Sequence, residues 1–391
     1  MNLPGRPSLW MSAAYFAFYA GIACWGPYIV LYYRQIGLTG AQIGILNAVT
    51  PLGMAFLSPL WGYLADTWSA HRLILRTALL ATAVIVVLLA GASAFWQILL
   101  LITIMAIIGT TASPLLDSYG VTLSAEHGLN FGKLRVWGSL GYTVVVWLIG
   151  YAMGAEVSRL FLFCYAVTLS ITCFATLGLP ARRQRTGQNR WQGAAGVLRQ
   201  PNMRIVLLTV FLLAGSTNPI FSFFGIYIQE LGGSTSLLGA TSAVAAISEL
   251  PVMFLGGVLT ERLGGRRMLV VALIVYCVRL LLYSLLPSAV WVLPVQLLHG
   301  FSFGIYLMAA VTLVHQFVGS DLAATAQGLL ASAMAFGQMT GSIVGGILLD
   351  RVGIFVVYRL SIIVTALGLT VFVLGMRWYG SRAVLSIGHS V

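Results

Sequence analysis

Charged side chains are scarce in this sequence: they make up 8% of its 391 residues, and only nine of them are acidic. A water-soluble domain carries roughly 25% charged residues. So few charges cannot cover a water-exposed surface, which excludes a soluble globular protein. The hydrophobic fraction of 59% and the mean hydropathy of +0.96 indicate a chain that lies in a lipid bilayer.

The motifs of catalysis and of metal binding are also missing. The four cysteines all fall inside apolar segments, and we interpret them as small buried residues rather than as disulfide partners or metal ligands. There is no phosphate-binding loop, no His-Glu-x-x-His helix and no nucleophile elbow in a fitting context. We therefore expect no ATP drive, no cofactor, no metal and no enzymatic activity, and we expect no cleavable signal peptide.

Apolar runs long enough to cross a bilayer recur along the whole chain. Because lipid offers no hydrogen-bond partner to the backbone, runs of about 20 apolar residues must be helices. The sequence predicts an all-α integral membrane protein with twelve spans. These cover residues 8–33, 40–65, 73–92, 95–124, 132–154, 157–179, 203–229, 236–260, 268–286, 289–317, 322–349 and 354–378.

Basic residues concentrate in alternate loops, which is the usual signature of membrane orientation. On one side the loops hold only Arg34, Arg159 and Arg351. This asymmetry predicts that both termini lie in the cytoplasm, and it explains the net charge of +12 without a nucleic-acid partner. The basic segment 180–202 predicts a cytoplasmic linker between two six-helix bundles, 1–179 and 203–391.

A loop pattern that occurs twice, half a chain apart, supports this division. Each copy has a glycine, an acid four residues later and an arginine six residues after the acid: Gly62, Asp66 and Arg72, then Gly257, Glu261 and Arg267. Glycine lets helices cross closely, and the acid can pair with an arginine or a helix N-terminus. The pattern therefore predicts a latch at the inner gate; the alternative is a solvated charged loop.

At these residues the chain resembles the major facilitator superfamily, which implies two pseudo-symmetric six-helix bundles. Three further segments resemble the branch that contains the phenylpropionate permease and, more distantly, the lactose permease. They are Pro114 to Asp117, the run "NFGKLRVWGSLGY" from Asn130, and "QLLHGFSFG" from Gln296.

Asp117 and Arg135 lie nine residues either side of Glu126, so antiparallel helices bring them to similar depth in the membrane. An ionisable group at that depth is costly and is a functional hypothesis by default. The resemblance implies that Asp117, Arg135 and the aromatic Tyr142 bind the substrate. A structural ion pair between the first two remains the alternative.

Glu249 and Arg279 show the same symmetry, fifteen residues either side of Gly264. Because an unpaired buried charge is so unfavourable, we expect each to be the other's partner, with His299 as a third member. The resemblance matches Arg279 and His299 but not Ser302, which stands where the branch carries its coupling glutamate. Proton coupling is therefore assigned first to Glu249 with Arg279, and then to Asp117 and His299; His299 is equally explained as a packing or substrate-binding residue.

Asn218, beside Pro219, predicts a local helix break that exposes backbone to a substrate, with a simple proline kink as the alternative. The sequence as a whole predicts a monomeric, proton-coupled symporter in the inner membrane. It moves a small organic solute, an aromatic carboxylate or a sugar, by alternating access, with protons and lipid as its other partners. Proton-antiport efflux and a non-transporting receptor remain as alternatives.

Overall fold

The computed structural model describes residues 6–68, 70–129, 131–154, 157–179, 193–318 and 322–387. Every regular element in these ranges is helical. The N-terminal half contains α1 (Arg6–Trp25), α2 (Ile29–Gln35), α3 (Gly40–Thr67), α4 (His71–Leu89), α5 (Phe95–Gly109), α6 (Ala112–His127), α7 (Phe131–Met153) and α8 (Leu160–Ala175).

The C-terminal half repeats this plan. It contains α9 (Ala194–Arg199), α10 (Pro201–Ser222), α11 (Phe224–Glu230), α12 (Thr235–Leu285), α13 (Val292–Gln296), a π-helical turn (Gly300–Gly304), α14 (Ile305–Val318), α15 (Ala323–Val352) and α16 (Ile354–Ile387).

Helix α12 is two membrane spans joined end to end. Its 51 residues would extend roughly 75 Å as one straight helix, while the hydrocarbon core is about 30 Å thick. Gly264 has φ of 69°, a left-handed conformation that folds the chain back. Counted in this way, the 11 apolar helical segments of the described chain make the twelve crossings expected from the sequence.

The first and seventh spans are both interrupted. The first breaks between α1 and α2 at Gly26–Tyr28, and the seventh breaks between α10 and α11 at Phe223. The break predicted near Asn218 and Pro219 is therefore real, but it falls four residues beyond Pro219. The two breaks occupy equivalent places in the two halves, as a repeated fold requires.

Three buried apolar clusters organise the bundle. One lies within the N-terminal half around Tyr15 and Leu169, and one lies within the C-terminal half around Leu273 and Phe372. The third joins both halves through residues such as Tyr28 and Phe223. The all-α membrane architecture with two six-helix bundles is thus confirmed.

The predicted linker is only partly described, since residues 180–192 lie outside the described residues. Its second part forms α9, whose Val197 is fully buried in the core of the C-terminal half. The bundle boundaries at 179 and 203 stay predictions.

Candidate functional site

A cavity of about 680 Å³ lies between the two halves. Its size is within the range of small-molecule binding sites. The N-terminal half contributes Tyr19, Trp25, Arg135 and Tyr142 to its walls, and the C-terminal half contributes Phe221, Glu249, Arg279 and His299. Both helix breaks border it, through Gly26 and Pro27 on one side and Ser222 and Phe224 on the other.

One end of the bundle, the sealed end, is closed by contacts between the halves around Asp350. The Asp350 carboxylate accepts hydrogen bonds from the backbone N–H groups of Gly40 (2.6 Å) and Ala41 (2.8 Å) at the start of α3. Arg34 lies 4.0 Å from the same carboxylate. A carboxylate on a helix N-terminus is stabilised by the helix dipole as well as by the hydrogen bonds.

Glycines let the helices touch backbone to backbone at the sealed end. A side chain on Gly40 or Gly44 of α3 would overlap the backbone of Gly346 or Ser342 in α15. On the other side of the bundle, Gly150 of α7 and Gly239 of α12 meet in the same way. This end offers no space for a solute to pass.

At the opposite end, the open end, the two predicted gate glycines pack against no neighbouring helix. A side chain added at Gly62 or at Gly257 would meet no atom within 4 Å. Glu261 and Arg267 are exposed, and Arg72 donates to the backbone carbonyl of Leu179 within its own half. The Asp66 side chain lies outside the described residues. The latch role of these six residues therefore stays a prediction, and the close helix crossing is not made in this conformation.

In the C-terminal half, Glu249, His299 and Arg279 form a chain that reaches the cavity. His299 Nε2 lies 2.9 Å from Glu249 Oε1, and His299 Nδ1 lies 2.7 Å from Arg279 Nη1. The sequence predicted a direct Glu249–Arg279 pair, but the structure places the imidazole between them.

The hydrogen bonds of His299 fix its protonation. Because arginine nitrogens only donate, Nδ1 must accept from Arg279, and a neutral imidazole then carries its proton on Nε2. That proton is donated to Glu249. Glu249 is the accessible member, with 29% of its side chain exposed against 7% for His299.

Arg279 is held on every side and is 4% exposed. Besides His299, it donates from Nη2 to Gln296 (2.6 Å), from Nη1 to Ser302 (3.2 Å) and from Nε to the Tyr283 hydroxyl (3.1 Å). Sequence reasoning noted Ser302 only as a departure from a resemblance and gave Gln296 no role. The signal that would have found them is that a buried guanidinium needs several acceptors.

In the N-terminal half, Arg135 and Asp117 form a looser cluster. Arg135 Nε lies 3.7 Å from Asp117 Oδ1, and Nη2 donates to the Tyr19 hydroxyl at 2.5 Å. The guanidinium lies 3.9 Å from the centroid of the Tyr19 ring, and Tyr15 donates to Asp117 at 3.0 Å. Arg135 lines the cavity, whereas its partner Asp117 is not one of the lining residues although 40% of its side chain is exposed.

The remaining predicted residues divide between the cavity and the protein interior. Tyr142 lines the cavity on α7. Asn218 does not, because its amide nitrogen donates to the Gln338 carbonyl (2.9 Å), the Ser342 hydroxyl (2.5 Å) and the Ser222 hydroxyl (3.2 Å). This arrangement packs α10 against α15 and leaves the Asn218 amide no free donor for a substrate.

Two repeated bundles around a central cavity that carries charged residues on its wall and is sealed at one end define the chain as a secondary membrane transporter of the major facilitator type. The chain belongs to the MFS_1 like family, whose sequence model matches residues 8–360. The family and the fold are those of multi-pass membrane transporters rather than of enzymes.

Known proteins similar to this chain carry different substrates. The maltose permease of Geobacillus stearothermophilus is 29% identical over 365 residues, which cover 92% of each chain. A probable 3-phenylpropionic acid transporter of Escherichia coli (strain K12) is 27% identical over 328 residues, covering 80% of this chain and 83% of that protein. The crystal structure of the nucleoside transporter NupG superposes with a TM-score of 0.84 at 18% identity, covering 97% of this chain and 99% of that one.

Proposed function

We propose that this protein is a proton-coupled symporter that imports a small, uncharged, hydroxyl-bearing solute such as a sugar across a bacterial inner membrane. Both termini lie in the cytoplasm, so the open end faces inward and the sealed end faces outward. The observation that carries the proposal is the Glu249–His299–Arg279 chain on the cavity wall.

Glu249 is the proton carrier in this mechanism. With the carboxylate ionised, it accepts the Nε2 proton of His299, as the geometry requires. A proton taken up by Glu249 from the outer side cancels its charge and weakens its hold on His299, and release on the inner side restores both. The other titratable groups that face this chain are Tyr142, Tyr276, Tyr283 and Tyr358.

The charges around the cavity favour an uncharged solute over a carboxylate. Arg279 is buried and committed to its own acceptors, so it offers no fork to a carboxylate. Arg135 does reach the cavity, but Asp117 compensates it. Hydroxyl groups suit such paired charges, and the Tyr19, Trp25 and Tyr142 rings provide apolar faces for a sugar ring. The similarity to a maltose permease supports the same class.

The test is transport by the purified protein in proteoliposomes. We expect counterflow of labelled maltose to exceed that of 3-phenylpropionate, and an inward proton gradient to drive maltose accumulation. Glu249→Gln removes the proton carrier, so it should abolish gradient-driven accumulation and retain counterflow. Glu230→Gln, which changes an exposed acid at the end of α11, outside the cavity and the predicted gate, is the control and should leave both activities unchanged.

Other results would point elsewhere. Solute loss in response to the same gradient indicates antiport efflux. The absence of counterflow for any sugar, nucleoside or aromatic acid indicates a receptor. Full accumulation by Glu249→Gln contradicts the assigned proton carrier.

A further inference from the structure

Helix α12 crosses the tenth span at one point, where Ser248 meets Gly300. The Gly300 N–H donates to the Ser248 hydroxyl at 2.9 Å. A Cβ on Gly300 would overlap the Ser248 carbonyl and would lie 3.0 Å from the Cα of Glu249. Two backbones in such contact leave no room for any side chain, so only glycine fits at this crossing.

On each of the two helices, the residue at the crossing is the chain neighbour of a member of the Glu249–His299 pair. Glu249 follows Ser248 on one helix, and His299 precedes Gly300 on the other. The Glu249–His299 distance of 2.9 Å is therefore set one residue away from the point where the two backbones touch. A displacement of the helices at the crossing is transmitted directly to this hydrogen bond.

The π-helical turn that begins at Gly300 holds the imidazole in place. Ser302 donates to the His299 carbonyl at 3.0 Å and accepts from Arg279. Phe303 stacks on the imidazole with centroids 5.5 Å apart and an interplanar angle of 11°, and Phe221 contacts it edge-on at 5.6 Å. Wide turns of this kind are concentrated at functional sites because they re-aim side chains within a helix.

We propose that Gly300 and Ser248 are positioning residues for proton coupling, because their backbone contact sets the distance between Glu249 and His299. Neither residue carries the proton. The inference rests on the proposed function, since it gives this crossing a role only if Glu249 exchanges a proton. A glycine that served packing alone would affect folding and leave the titration of Glu249 unchanged.

The experiment follows the carboxyl group of Glu249 directly and needs no transported solute. Infrared difference spectra of the purified protein against pH give the carboxyl band that is absent in Glu249→Gln. We expect Gly300→Ala to displace the midpoint of this band by about one pH unit, which corresponds to about 1.4 kcal/mol. Gly368→Ala is the control, since Gly368 is also a buried helix glycine but its added Cβ has ordinary space, with 3.6 Å to the nearest atom.

A second variant covers the case in which Gly300→Ala fails to fold. Ser248→Ala adds no bulk but removes the acceptor of the Gly300 N–H. We therefore expect it to displace the midpoint of the Glu249 band in the same direction as Gly300→Ala, by a smaller amount. Midpoints equal to that of the unmodified protein in the folded variants overturn the proposal, as does a protein without any Glu249 band. Maltose accumulation, measured in parallel, separates the two ideas. A displaced band in a protein that accumulates no maltose refutes the symport of this sugar and leaves the positioning role standing.

Discussion

The guanidinium of Arg279 is tolerated inside the membrane because side chains around it accept its hydrogen bonds. Arg279 directs its nitrogens at an imidazole, an amide oxygen and two hydroxyls. Each acceptor comes from a side chain at a fixed place on the ninth or tenth span. The rigid fork of arginine thus ties two helices together, a role that a flexible lysine would not reproduce.

The sequence predicts the membrane depth of Glu249 and Arg279, but not the direction in which their side chains point. Counting residues from Gly264 placed Glu249 and Arg279 at one level, and the structure brings both to His299. The number of residues from Gly264 does not determine how each helix is rotated about its own axis. The order Glu249–His299–Arg279 depends on how the three helices are rotated and where they cross, which a count of residues does not reveal.

Asn218 provides a test at the scale of one residue. Asn218→Ala removes two hydrogen bonds to the neighbouring helix α15 and one to Ser222 of its own helix. Because unsatisfied buried partners cost about 1–3 kcal/mol, we expect a lower melting temperature in detergent. The KM for maltose counterflow should stay unchanged. The sequence-based assignment of Asn218 to the substrate site would be supported instead by a raised KM at an unchanged melting temperature. Thr340→Ala, which removes an exposed hydroxyl on α15, is the control.

Spans are the elements that the sequence predicts best. Length and apolarity alone gave twelve crossings, because a bilayer demands helices of a set length. The interruptions were harder to locate. The proline beside Asn218 pointed to a break, but the helix continues to Ser222 and ends where Phe223 leaves the helical conformation.

Asp350 governs the sealed end at the scale of elements, since it joins the end of α15 to the start of α3. A neutral amide in its place loses the attraction of the helix N-terminus, worth up to about 2 kcal/mol. Asp350→Asn should therefore shift the population toward opening of the sealed end, by about 5–30-fold for 1–2 kcal/mol.

Spin labels at Gln35 and Glu230, exposed ends of α2 and α11 in opposite halves, report that shift as longer distances in pulsed dipolar spectra. Arg351→Gln alters the adjacent exposed charge and should leave the distance distribution unchanged. Identical distributions for Asp350→Asn and the unmodified protein would show that the glycine contacts alone close this end.

At the scale of the whole molecule, the charges of the cavity determine how a membrane potential acts on transport. The charges of Arg135 and Arg279 are balanced by those of Asp117 and Glu249. In the proposed symport, one proton taken up with an uncharged solute therefore moves one net positive charge. A potential of 100 mV is worth about 2.3 kcal/mol per charge, which supports up to about 50-fold accumulation.

We therefore expect an interior-negative potassium diffusion potential to drive maltose into proteoliposomes at equal pH on both sides. The Glu249→Gln variant, which retains counterflow but lacks the proton carrier, should not respond and is the control. Maltose uptake that is insensitive to potential would show that no net charge crosses with the solute, which contradicts symport with one proton.

The idle glycines at the open end have a practical meaning for work on this protein. A side chain added at Gly62 or Gly257 would meet no neighbouring helix here, whereas helices that close over these positions would need glycine there. A leucine at either position should destabilise the present conformation little, and it should obstruct the conformation in which this end is closed. Such a variant would trap the transporter with this end open. It could then be used to select antibodies or inhibitors that bind this conformation alone.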